Sequence, residues 1–236
     1  MLCKIADLIT EIPEADGLAV RCRDYLYYGE NKPDIIVRRE LYRRELYSAD
    51  MPSEDLAYME AAAQLYRQML YFGGFYLHAS AVVRDGKAYL FSGDSGAGKS
   101  THTRLWLDVF GGDTRIINDD KPALRCIDGV WYAYGTPFCG KDNINLNERA
   151  PLAGICFLKQ ASHNRIRRVM PMEALPKILR QTLHRMNEEH YLEALLDHLE
   201  KLLSQIPVYE LENLPEPPAA QLSYETMLQG AREANL

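Results

Sequence analysis

The stretch GDSGAGKST, residues 93–101, constrains this 236-residue chain more than any other feature. Gly93, four residues, Gly98, Lys99 and Ser100 complete the spacing of a phosphate-binding loop, which works only between a strand and a helix. The flanks comply: the apolar run AYLF leads in, one serine before Gly93, and HTRLWLDVF leads out. Inward-pointing N–H groups and the positive end of the following helix match a phosphate tail there. On this reading Gly93, Asp94, Ser95, Gly96, Ala97, Gly98, Lys99, Ser100 and Thr101 cradle a nucleotide. Lys99 reaches the terminal phosphates and the Ser100 hydroxyl completes part of a Mg²⁺ shell. The alternative is an ordinary Gly/Ser turn with a surface lysine.

The rest of the chain predicts an α/β fold, with a mixed, mainly antiparallel central sheet and flanking helices. FYLHASAVVRDGKAYLFSG reads as two strands joined at Asp85-Gly86, the second feeding the loop directly, and a second hairpin falls at Asp128-Gly129. These hairpins argue against a purely parallel, doubly wound sheet. PLAGICFLKQ is a buried strand. Upstream, LAVRCRDYLYYG and DIIVRRELYRREL read as strands of a small N-terminal subdomain over residues 1–50, and residues 51–236 form the loop-bearing domain with C-terminal helices. Ser53 as cap, Glu54 and Asp55 in the first turn, and Leu56, Met59, Ala63, Tyr66 and Met69 or Leu70 at helical spacing predict a helix ended by Gly73 and Gly74. Pro176 is expected in the first turn of KILRQTLHRM; HYLEALLDHLEKLLSQ and QLSYETMLQGAREA give two more helices around the short strand of PVYELEN.

A formal net charge of −6 supplies no global attraction for nucleic acid. Five scattered cysteines form no metal-binding pattern and read as a reduced, cytoplasmic chain. MLCKIADLIT lacks the basic start and apolar core of a signal peptide, and no apolar run is long enough to cross a bilayer.

RIINDDKPAL follows the loop-bearing helix, and a strand there delivers Asp119 and Asp120 to the same edge as the glycine loop. One carboxylate can hold Mg²⁺ while its neighbour accepts a proton from an attacking hydroxyl; acidic residues after a strand are also common turn formers. His78 in FYLHASAVV sits either near phosphate or in a strand as a structural residue, and His102 points either toward nucleotide or into packing. GTPFCGKDNINLN, residues 135–147, suits a polar cleft wall, with Lys141 neutralising transferred phosphate and Asn143 or Asn145 orienting an acceptor; a structural turn is the alternative. Cys139 has no assigned partner base, and Arg165, Arg167 and Arg168 form either an acceptor clamp or a solvated strand face.

LHASAVVRDGKAYLFSGDSGAGKST and IINDDKPAL together resemble the HPr kinase/phosphorylase and ATP-dependent phosphoenolpyruvate carboxykinase superfamily, in its compact kinase-like form. The resemblance covers the centre of the chain from about Leu77 to Leu124. It implies ATP- and Mg²⁺-dependent phosphoryl transfer, with Asp119 as acid/base, Asp120 on the metal side with Ser100, and His78 near the transferred phosphate. Lys121 and Pro122 precede Ala123 where the family favours an apolar residue. No separate HPr-recognition segment is evident and the chain is much shorter than a carboxykinase, so the resemblance carries over the phosphoryl-transfer machinery and not the acceptor; a small hydroxyl compound or the serine of a peptide or protein is the expected acceptor. A nucleotide-binding regulatory module without phosphoryl transfer is the alternative from another class.

Overall fold

The computed structural model describes residues 1–14, 17–182 and 189–236. At the N-terminus β1 (Leu2–Ile5) and β2 (Leu8–Glu11) pair antiparallel. LAVRCRDYLYYG, expected as a strand, is helical instead: α1 (Leu18–Arg21) runs into a 3-10 turn at Arg23–Tyr25. Leu18, Cys22 and Tyr25, spaced by four and then three residues, are all buried, and that spacing marks one face of a helix. DIIVRRELYRREL keeps only two residues of strand, β3 (Ile35–Ile36), parallel to β2. Residues 38–47 are two copies of RRELY, and each copy makes a 3-10 turn, Arg39–Leu41 and Arg44–Leu46. A period of five places equivalent residues on opposite faces of a strand, so no strand can bury them consistently.

α2 (Ser53–Met69) buries Ala57, Ala61, Leu65 and Met69. Ser53 is its first helical residue rather than its cap, a position taken by Pro52. Gly73, in the left-handed region at φ 74°, turns the chain into β4 (Gly74–Tyr76). FYLHASAVVR, read as one strand, breaks at Leu77-His78, and β5 (Ala79–Arg84) joins a different part of the sheet. β6 (Lys87–Ser92) enters the glycine loop, and α3 (Lys99–Phe110) leaves it. β7 (Arg115–Asn118), β8 (Ala123–Ile127) and β9 (Val130–Tyr134) follow, and β10 (Arg149–Gln160) is the long central strand. Then come β11 (Arg165–Val169), α4 (Pro171–Thr182), α5 (Glu189–Gln205), β12 (Val208–Asn213) and α6 (Pro217–Glu233). Pro171 opens α4 and Pro176 lies inside it, one turn later than expected; the end of KILRQTLHRM, from residue 183, lies outside the described residues.

The strand order β4-β8-β9-β10-β6-β5-β7 makes a curled mixed sheet, and β12 extends it on β10 and carries β11. β10 does the curling: its first residues pair antiparallel with β9, and its remainder runs parallel between β6 and β12. That double coverage explains its unbroken buried run from Leu152 to Leu158. Alternate residues of β6 serve two cores. Ala88 and Leu90 face a cluster with Leu65, Ile178 and Leu199 of α2, α4 and α5, while Tyr89 and Phe91 face Trp106 and Met227 of α3 and α6. The register then sets the functional edge, since Ser92 of β6 pairs with Ala79 of β5 on one side and Phe157 of β10 on the other.

Candidate active site

Ser92 closes β6, and its hydroxyl donates to the His78 carbonyl at 2.8 Å, joining two chain segments at that edge. Gly93 follows at φ 145°, where a Cβ would meet the Leu158 carbonyl oxygen and the Ala97 Cβ at 3.0 Å, so both conformation and space require glycine. Gly98 caps α3 at φ 95°. The N–H groups of Lys99, Ser100 and Thr101 occupy the first turn, where no intrahelical acceptor exists, and they make the cradle a phosphate needs. Lys99 Nζ donates to the Gly93 and Asp94 carbonyls at 2.9 and 3.3 Å, and burial lowers its pKa. Two glutamines brace the loop: Gln160 Nε2 donates to the Gly96 carbonyl at 2.8 Å, and Gln181 Nε2 to Asp94 Oδ1 at 3.4 Å. Asp94, Ser95, Ser100 and Thr101 are exposed, and Ala97 is half-buried.

Asp119 and Asp120 follow β7 and meet different surroundings. Asn118 fixes the turn, its Oδ1 accepting from the N–H groups of Asp120 and Lys121 at 2.9 and 2.7 Å. Asp120 Oδ1 lies 3.1 Å from His78 Nε2, and Oδ2 pairs with Lys121 Nζ. Burial pushes the Asp120 carboxyl up, but the His78 hydrogen bond and the Lys121 charge outweigh it and hold the group well below the usual carboxylate range. Asp119 is buried and points the other way, accepting the Gly140 N–H at 2.6 Å. Burial raises its pKa, with the Gly140 bond opposing and the Asp120 charge adding to the rise. One carboxyl is kept anionic beside the glycine loop, and its neighbour is made more basic beside residues 135–147.

His78 stands between the two halves, with Nδ1 3.1 Å from Gln181 Oε1. It therefore touches the aspartate pair and, through Gln181, the glycine loop. His102 does not reach the site: it is buried, with Nε2 3.0 Å from Ser223 Oγ and its ring 4.5 Å from that of Phe91. Lys141 is exposed and makes no ion pair with any described residue. Asn145 donates to Cys139 Sγ at 3.2 Å and accepts from the Tyr25 hydroxyl at 2.8 Å, while Cys139 contacts Asn143 Oδ1 at 3.3 Å. These amides shape the loop, and burial pushes the Cys139 thiol up, away from nucleophilic use. Arg167 is paired with Glu173 and Glu210.

Sequence reasoning passed over Lys121, Gln181 and Tyr58. Tyr58 of α2 donates to the Cys139 carbonyl at 2.7 Å and takes the Lys121 ammonium within 3.5 Å of its hydroxyl. Lys121 stands next to the aspartates in sequence, a readable signal; Gln181 and Tyr58 arrive from distant helices and leave none.

Among the described residues no group of three His, Cys, Asp or Glu side chains forms a metal cluster. Ser100 and Asp120 are the oxygen donors expected from the sequence for Mg²⁺, a cation that keeps several waters and needs only one or two protein oxygens beside substrate phosphates. No protein-family model and no curated protein matches this chain. Among solved structures, the Hpr(Ser) kinase/phosphatase from Coxiella burnetii is weakly similar: 15% identity over 66% of this chain and 95% of that one, with a TM-score of 0.34. No helix of the described residues is long and apolar enough to cross a membrane.

Proposed function

We propose that the protein is a Mg²⁺-dependent ATP phosphotransferase acting on a hydroxyl of a small molecule or of a peptide or protein serine. The observation that carries this reading is the opposed pair beside the glycine loop: Asp120 held anionic by His78 and Lys121, Asp119 made more basic by burial. Pure nucleotide storage has no use for a second carboxyl raised in pKa, whereas phosphoryl transfer needs a base. Lys99 and the first-turn N–H groups of α3 bind the phosphates. Mg²⁺, which Ser100 and Asp120 would hold, would supply neutralisation of the phosphate charge. Asp120 and Ser100 hold the metal side, His78 keeps the Asp120 carboxylate anionic near the transferred group, and Asp119 takes the acceptor's proton. The Gly140 N–H bonds Asp119 and Lys141 follows it in sequence, which supports an acceptor entering past residues 135–147. Among the described residues α5 and α6 expose one large apolar residue, Leu196, which leaves those two helices little surface for a nucleotide-controlled partner, whereas Met172 of α4 and Met170 just before it are exposed and are the apolar surface such a partner would use.

The test is incubation with Mg²⁺ and γ-labelled ATP against a panel of hydroxyl metabolites and serine peptides, repeated with Lys141→Ala. Labelled product is expected, with slower transfer in the variant. ATP binding without label transfer to either class favours the regulatory module, and transfer unchanged in Lys141→Ala removes that lysine from the site.

A further inference from the structure

A cleft of about 430 Å³ opens on the flank of the glycine loop away from the aspartates. Its wall runs from Gly93 and Asp94 across Phe157 and Leu158 of β10 to Pro176 and Arg180 of α4. Resting on the phosphotransferase reading, we infer that this cleft seats the ribose and base of the nucleotide.

The strand order supplies the direction. Along the functional edge the sequence of strands is β12, β10, β6, β5, β7, with the loop on β6 and the aspartates on β7. A triphosphate laid on the loop with its terminal phosphate toward Asp119 and Asp120 must carry its nucleoside toward β10 and β12, which is where the cleft lies. The volume falls in the ~300–1,000 Å³ range of small-molecule pockets, and Phe157, Leu158 and Pro176 give the cleft an apolar part within an otherwise mostly charged lining. Pro176 and Arg180 are one turn apart on α4, so both face the cleft. Glu210 is paired with Arg167 and Lys177, and Lys159 with Glu212. Arg180 forms no ion pair with any described residue and is exposed, one residue from the Gln181 that braces Asp94. It is the cation available to stack on a base.

Mg²⁺ with inorganic tripolyphosphate separates loop from cleft, because that probe has phosphates and no nucleoside. Calorimetry on the full chain is expected to show ATP bound more tightly than tripolyphosphate. Pro176→Trp fills the cleft and restores a helical N–H, and it should weaken ATP at least about tenfold while tripolyphosphate stays within about twofold. Arg180→Ala, a surface truncation, should shift the same preference in the same direction and serves if the bulky variant fails to fold. ATP affinity unchanged in these variants overturns the cleft assignment, as does equal binding of ATP and tripolyphosphate to the unaltered protein. Binding of neither probe overturns the phosphate-loop reading along with it.

Discussion

Burial keeps His102 neutral, and its tautomer follows from its neighbours. Ser223 donates its own proton to the Ala220 carbonyl, so its oxygen must accept from His102 Nε2, and Nδ1 is left without a partner in the interior. Desolvation lowers the pKa from 6.5 to about 4. Between those values the unfolded chain binds a proton that the folded chain refuses, so stability is full above pH 6.5 and drains as pH falls toward 4. Denaturant titration at pH 7 and pH 4.5 should show the native protein losing about 2–3 kcal/mol more than His102→Gln, and parallel losses would contradict a buried neutral imidazole. The site residues carry two further expectations. Lys99→Ala removes charge-assisted bonds to phosphate and should weaken Mg-ATP binding by about 10- to 100-fold in calorimetry, with folding intact. Asp119→Asn keeps the size and loses the proton acceptor, so single-turnover transfer should fall by about 10²- to 10⁴-fold while ATP affinity changes little. An unaltered chemical rate there would remove Asp119 as the base.

The loop between β6 and α3 is held as an element from both sides, by Gln160 on Gly96 and Gln181 on Asp94. Gly93→Ala tests whether its backbone is as constrained as the geometry implies. A Cβ at φ 145° and 3.0 Å from the Leu158 carbonyl should cost about 1–3 kcal/mol and weaken ATP binding, read by thermal melting and calorimetry together. Unchanged melting and binding would mean that the loop relaxes freely. This element was legible because its chemistry is local: spacing, glycines and flanking apolar runs sit within a few residues, as do the Asp-Gly turns. The break at His78 was not legible, since FYLHASAVVR carries no glycine or proline there. Three long-range backbone bonds mark that corner, from Leu77, His78 and Ala79 to Pro122, Gln181 and Asp120. α1 was misread because imperfect alternation masked the Leu18–Cys22–Tyr25 spacing. Gln181 braces the loop and His78 from 87 and 103 residues away, a relation that no local pattern encodes.

Across the whole molecule, the first fifty residues share their core with the rest. Cys3, Ile5, Leu18 and Ile35 lie in one apolar cluster with Leu65, Phe75, Leu90 and Ile155. Polar contacts reinforce the join: Gln64 and Gln68 of α2 bond both backbone groups of Arg38 and of Ile36. Arg125 of β8 is a buried link, with Nη1 donating to the Ala6 carbonyl at 2.6 Å and Nε and Nη2 to the Phe72 carbonyl at 3.1 and 2.9 Å. Gly74 opposite β8 leaves the space its stem occupies, since a Cβ there would strike Arg125 Cγ. Removing the guanidinium strands two carbonyls in the interior, a loss of about 1–3 kcal/mol. Arg125→Ala should therefore lower the urea midpoint in a single transition, with fluorescence and circular dichroism changing together, because a shared core cannot release the N-terminal strands alone. If those strands instead lose hydrogen-exchange protection well before β10 does, in the native protein as in the variant, residues 1–50 are an independent unit docked on a self-sufficient nucleotide-binding core.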